Sequence, residues 1–211
     1  MTRKAMAPAA VLIAALTSCS HLSQPESAQD AFWANLASHC GKAYPGTLAS
    51  TDEADADFRG AAMVMHVRTC SEEEIRIPFH VQRADGSWDR SRTWVLTRTD
   101  AGLRLKHDHR HEDGTSDPVT LYGGDTASEG SARSQSFPVD AESIALFGAA
   151  GLTASITNVW TVEVDPAHVP GASFAYQLAR TKAAGAPADR FFRVEFDAAA
   201  PVTPPPAPWG Y

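Results

Sequence analysis

Nothing in this chain is long and apolar enough to cross a bilayer as a helix. Its best stretch, Ala7 through Leu16, runs to ten residues, where a span needs roughly 20. Cysteine is scarce, with three in all, and no two stand at the C-x-x-C spacing that zinc sites favour. No G-x-S-x-G elbow and no H-E-x-x-H is present, and neither Ser143 nor Ser155 sits in a nucleophile's setting. Gly123-Gly124 reads as a tight turn without the strand–loop–helix context of a phosphate loop. Basic residues are outnumbered, 18 against 25 acidic, for a formal charge of -7. An acidic protein is repelled by phosphate backbones, which excludes nucleic acid as the expected partner. Helical periodicity is also thin. The residues name no cofactor.

What is present begins with a leader. Arg3 and Lys4 precede the short apolar stretch, and Leu16-Thr17-Ser18-Cys19 closes it. That tetrapeptide resembles the bacterial lipobox, a branched residue followed by two small ones and a cysteine. The resemblance implies a signal over residues 1–18, cleavage before Cys19, lipid on Cys19 and attachment to a membrane of the cell envelope. Ser20 rather than Asp follows, which in lipoproteins of that kind implies the outer membrane, facing the periplasm, in a cell with two membranes. Losing Arg3 and Lys4 leaves 16 basic residues against 25 acidic and deepens the charge to -9. With Cys19 assigned to lipid, Cys40 and Cys70 remain, and an oxidising compartment favours joining them. A cysteine nucleophile is then disfavoured.

Residues 19–30 are polar and read as a tether. Residues 199–211 are proline-dense and extended or polyproline-like. Residues 31–198 between them suffice for one domain with a proper core. In that span two-residue alternation dominates, at 63–68, 75–81, 94–97, 156–164, 174–178 and 192–196. Turn signals punctuate it at 84–87, 100–102, 112–114, 122–125 and 184–187. Two short helices fit the pattern, Gln29 to His39 with Phe32, Trp33 and Leu36 inward, and Asp140 to Phe147. The expectation is an all-β fold with a short N-terminal helix. The opening helix, a first strand near Cys40 to Gly46 and the successive hairpins resemble lipocalin-type antiparallel up-and-down barrels, although the Gly-x-Trp that opens many lipocalins is missing. Residues 89–114, with Phe192 to Asp197 and Pro205 to Gly210, also resemble a family of uncharacterised bacterial secreted proteins, which implies no activity.

The chemistry-bearing stretch is Leu103 to Glu112. Side chains of a strand alternate, so Leu103, Leu105, His107, His109 and His111 share one face and Arg104, Lys106, Asp108, Arg110 and Glu112 the other. An apolar end inside a barrel places the imidazoles along its upper interior or mouth. Three readings stay open. His107, His109 and His111 can converge on a transition metal, with a further ligand from His66 or His80. They can instead line a polar ligand pocket or act in acid–base work. They can also stand at the rim of an ordinary charge ladder. Arg90, Arg92, Arg98, Arg104 and Arg110 form either an anion-binding surface or pairs with Glu72, Glu73, Glu74, Asp89 and Asp108. Trp33, Trp88, Trp94 and Trp160 read as core or rim packing. Arg92 and Trp94 join the three histidines as the ligand-binding candidates.

These readings combine into an envelope lipoprotein that binds a small apolar or amphipathic ligand in a barrel. One alternative is a metal-binding protein or metal-dependent enzyme built on the same histidines. The other is a structural or assembly lipoprotein whose proline-rich tail contacts a partner, with Trp209 docked either there or on the barrel itself.

Overall fold

The computed structural model describes residues 1–2 and 27–211. The leader's apolar stretch, Cys19 and the tether up to residue 26 lie outside the described residues. The first helix, α1 (Ala28–Ala37), starts inside the stretch assigned to the tether. Ser27 and Asp30 form a reciprocal capping box: the Asp30 amide donates to Ser27 Oγ at 3.0 Å and the Ser27 amide to the Asp30 carboxylate at 3.3 Å. The helix thus begins one residue before the Gln29 expected from the sequence. Phe32, Trp33 and Leu36 are buried, as their spacing predicts.

Eleven antiparallel strands follow. They are β1 (Ala43–Leu48), β2 (Met63–His66), β3 (Thr69–Cys70), β4 (Glu74–Gln82), β5 (Trp88–Thr99) and β6 (Gly102–His109). Then come β7 (Tyr122–Asp125) and β8 (Ser134–Pro138), a second helix α2 (Ala141–Ala149), and β9 (Val159–Val164), β10 (Ser173–Arg180) and β11 (Arg190–Asp197). The order across the sheet is β7-β6-β5-β4-β2-β1-β11-β10-β9-β8, with β3 paired to β4. Nearly every strand lies beside its neighbour in sequence, and β1 pairs with β11. This is the up-and-down barrel with a short N-terminal helix that the alternation and the lipocalin resemblance imply.

The alternation decides what lies inside. Ile75, Ile77 and Phe79 of β4, Trp94 and Leu96 of β5, and Leu103 and Leu105 of β6 all point into one core. Helix α1 plugs one end. Gln29 Nε2 donates to Thr126 Oγ1 at 3.0 Å, Arg98 donates to Asp30 at 2.6 Å, and Asn35 Nδ2 donates to the Ala132 carbonyl at 2.8 Å. No helix among the described residues is long and apolar enough to cross a membrane.

The barrel closes at one seam, between β7 and β8. A bridge joins Gly124 to Val139, and the Asp140 amide donates to the Gly123 carbonyl at 3.0 Å. Tyr122-Gly123-Gly124-Asp125 is thus a strand, where a turn was expected. The glycines serve close approach: a Cβ on Gly123 would fall 1.8 Å from the Leu105 carbonyl oxygen, and one on Gly124 1.8 Å from that of Pro138.

The proline-rich end is packed on the barrel. The Val202 amide donates to the Ala43 carbonyl at 2.8 Å, and the segment then crosses the outside of β4, β5 and β6. Arg90 Nη1 donates to the Ala207 carbonyl at 2.7 Å, and Arg83 and Arg90 lie over the buried Trp209 ring. The Tyr211 hydroxyl donates to Asp108, with Arg76 and Arg110 against its ring. Beneath this strap the outward-facing Thr93 and Asp108 are buried. Of the two docking places open to Trp209, the barrel is the one occupied.

Cys40 and Cys70 form a disulfide with 6.2 Å between their Cα atoms. It ties the loop after α1 to β3. Replacing both by serine is expected to lower unfolding free energy by about 3–4 kcal/mol in urea titration, the chain-entropy value for a loop of this length. A second prediction concerns the seam. Gly124→Ala should destabilise by at least about 2 kcal/mol because the methyl meets backbone. Gly148→Ala in α2, whose added carbon meets nothing, should be neutral or stabilising by about 0.5–1 kcal/mol. Equal effects at the two sites would refute the close-approach argument.

Candidate functional site

Opposite α1 the barrel is open. A cavity of about 290 Å³ descends from that end, at the lower limit of the roughly 300–1,000 Å³ typical of small-molecule sites. Its inner wall is aromatic. Trp94 stacks on Tyr176 with ring centroids 4.3 Å apart, and Tyr122 stacks on His107 at 4.7 Å. Trp160 tilts against His107 at 5.1 Å. Arg92, Arg180 and Arg190 stand towards the mouth, with His109 and Asn158.

His107 and His109 both face inward, as the alternation predicts, but they differ in role. His107 is buried with both ring nitrogens occupied. Its Nδ1–H donates to the Tyr122 carbonyl at 3.0 Å, and Nε2 accepts from the Tyr176 hydroxyl at 2.7 Å. The carbonyl can only accept, so Nδ1 carries a proton, and burial keeps the ring neutral with Nε2 as acceptor. Burial, then the neighbouring His109, holds its pKa down to about 3. His109 lies nearer the mouth and shares a 3.0 Å hydrogen bond between Nε2 and the Tyr122 hydroxyl. Burial and then the Arg92 charge hold it at about 4. The two phenols rise in turn, Tyr122 to about 12 and Tyr176 well above the ordinary value, because burial penalises phenolate.

His111 does not join them. The ladder of β6 ends at His109, and His111 opens an exposed turn in which the Gly114 amide donates to its carbonyl at 2.9 Å. Alternation stops with the strand, so the third imidazole of the file leaves the cavity. His66 and His80 sit on the outer side of the wall, because the inward positions of β2 and β4 are Met63, Met65, Phe79 and Val81. They cannot complete a set with His107. Among the described residues no group of three or more His, Cys, Asp or Glu side chains converges as metal ligands. The geometry thus gives the metal reading no support.

Arg92 and Trp94 do line the cavity beside the two histidines. Arg92 is committed to Asp89 at 2.6 Å and lies 5.7 Å over the Phe58 ring. Of the other arginines, Arg110 pairs with Asp108 as expected. Arg98 pairs with Asp30 and Arg104 with Asp125, partners far away in sequence. Such half-exposed pairs contribute little stability each.

The residues missed from sequence are Tyr122, Tyr176, Arg180 and Arg190. The signal was present. Phe174, Tyr176, Leu178 and Arg180 alternate inward along β10, and Arg190 and Phe192 do so along β11. The rule that placed His107 applies unchanged to them. No family model, curated protein or solved structure matches the chain.

The buried imidazoles set an acid limit. His39, whose ring nitrogens meet the Tyr44 hydroxyl and the Asp165 carbonyl, and the outer-wall His80 are also held at about 4 by burial. An imidazole whose pKa falls on folding binds its proton more readily when unfolded. Stability is therefore full above about pH 6.5 and declines as pH falls towards about 4, by up to about 1.4 kcal/mol per pH unit per imidazole. Urea unfolding at pH 7, 6 and 5 should show this decline, and His107→Gln should reduce its slope by up to one imidazole's share. Identical slopes in the two proteins would contradict a neutral buried His107.

Proposed function

We propose that this protein is a lipid-anchored lipoprotein of the cell envelope that binds a small apolar or amphipathic molecule inside its barrel. The observation that carries the binding half is the cavity of about 290 Å³ at the open end, walled by Trp94, Tyr122, Trp160 and Tyr176. Stacked aromatic walls supply apolar contact, and His109, Asn158 and the arginines at the mouth supply the few polar groups that orient a ligand.

The anchoring half is supported by Leu16-Thr17-Ser18-Cys19 and its basic, then apolar, lead-in. In a cell with two membranes the site is the outer membrane, facing the periplasm. The tail-mediated assembly reading has less support, because Trp209 and Tyr211 are engaged by the barrel's own Arg83, Arg90 and Asp108.

Two measurements test the two halves. Cys19→Ser should move the protein from the membrane fraction to the soluble one; unchanged membrane association would remove the anchor. Native mass spectrometry of the full chain from its own membrane should show a retained small organic molecule. Leu178→Trp, which fills the cavity from its own wall, should lose it. Equal retention in both proteins would place the molecule elsewhere and end the cavity reading.

A further inference from the structure

The three guanidiniums at the cavity are not equivalent. Arg190 is held by two carboxylates, Asp52 at 3.2 Å and the fully buried Asp55. Ser50 in turn donates to Asp55 at 2.6 Å. Arg92 has Asp89. Arg180 has neither arrangement. Its contact to a side chain is a long one, Nη1 to Asn158 Oδ1 at 3.4 Å, and its Nε is buried with no hydrogen-bond partner. It stands directly opposite Arg190 in the β10–β11 register, and like charges in that relation repel. Asp52 reaches Arg180 only at longer range, its own contact being with Arg190.

A buried donor without an acceptor costs about 1–3 kcal/mol, more when the group is charged. Of the buried side-chain atoms left without a partner among the described residues, Arg180 Nε is the one on a residue that lines the cavity. None of the side chains lining the cavity is a carboxylate, so no anionic partner for Arg180 lines it. A planar guanidinium is suited to a carboxylate, which takes two of its N–H groups at once. The neighbourhood also limits the charge. Asp52, Asp55 and Asp89 flank the mouth, so a second negative charge on the ligand would meet repulsion that the first does not.

We propose that the cavity takes a small organic monoanion, a carboxylate on an apolar body, with its carboxylate on Arg180 and its body against Trp94 and Tyr176. This rests on the reading of the cavity as a ligand site. The volume sets the size: about 290 Å³ is the space of about ten waters at ~30 Å³ each. A body of on the order of ten to fifteen non-hydrogen atoms fits, whereas a two-chain phospholipid does not. Desolvation and the nearby Arg190 charge hold the Arg180 pKa below the ordinary guanidinium value, and the charge of a bound anion offsets both.

The test uses the full chain carrying Cys19→Ser, without detergent, and calorimetric titration with octanoate, octan-1-ol and octyl phosphate. Octanoate is expected to bind at least about tenfold more tightly than octan-1-ol, the margin of one charge-assisted hydrogen bond. It should also bind more tightly than octyl phosphate. Arg180→Gln should remove the preference for octanoate while leaving octan-1-ol binding in place. Octan-1-ol binding as tightly as octanoate, or octyl phosphate binding more tightly, would overturn the monoanion and leave the cavity reading intact. Binding of none of the three would overturn both. Should Arg180→Gln fail to fold, the ratio of octanoate to octan-1-ol in the parent protein decides, since it needs no substitution at Arg180.

Discussion

The structure depends on the closure of a sheet upon itself. Ten strands form a path whose two ends meet at β7 and β8, and there the wall is thinnest. A bridge between Gly124 and Val139 and a hydrogen bond from Asp140 to Gly123 join the ends, reinforced by the Gly123 amide donating to Ser143 Oγ and by Lys106 pairing with Asp140. Absent side chains make this possible, because any Cβ at those glycines would occupy a neighbouring carbonyl. Closure turns a half-buried sheet, with one wet face, into a tube whose inward residues share a single core. The cavity exists only inside that tube. The aromatic wall has two opposing sides because β5 and β6 face β9 and β10 across it.

The strands were legible because their faces differ. Ile75, Ile77 and Phe79 against Arg76, Pro78 and His80 leave little room for another reading. Closure was not legible. Gly123-Gly124 carries the composition of a turn, and only the approach of Leu105 to Gly123, and of Pro138 to Gly124 from a strand that sequence reading did not recognise, shows why both residues are glycine. The start of α1 was legible to within one residue: the helix expected from Gln29 begins at Ala28, where the reciprocal capping of Ser27 and Asp30 fixes it. Trp209 had two possible docking places, and the choice depended on Arg83 and Arg90, which are more than a hundred residues earlier.

The candidate site followed the same division. Placing His107 and His109 inside needed only strand periodicity, and that held for as long as the strand did. His111 failed because periodicity says nothing about where a ladder ends. The roles of the two inner histidines were beyond sequence altogether, since they depend on partners. His107 is saturated by the Tyr122 carbonyl and the Tyr176 hydroxyl, a structural use of an imidazole within a functional-looking file. The orphaned donor at the cavity lies instead on Arg180, a residue with no motif around it. Buried polar atoms without a partner also occur away from the mouth, Trp209 Nε1 in the strap among them; what sets Arg180 apart is that its residue lines the cavity.

The pairing of β1 with β11 has a temporal meaning. The two strands that meet are the first and last among the described residues, and the strap from Val202 to Tyr211 lies over the wall only after both are in place. A contact between strands so far apart in sequence forms late, because the chain between them must be ordered before the pairing repays it. Until β11 arrives, β1 is an unpaired edge and the interior has no finished wall. Commitment to the closed form waits for that strand.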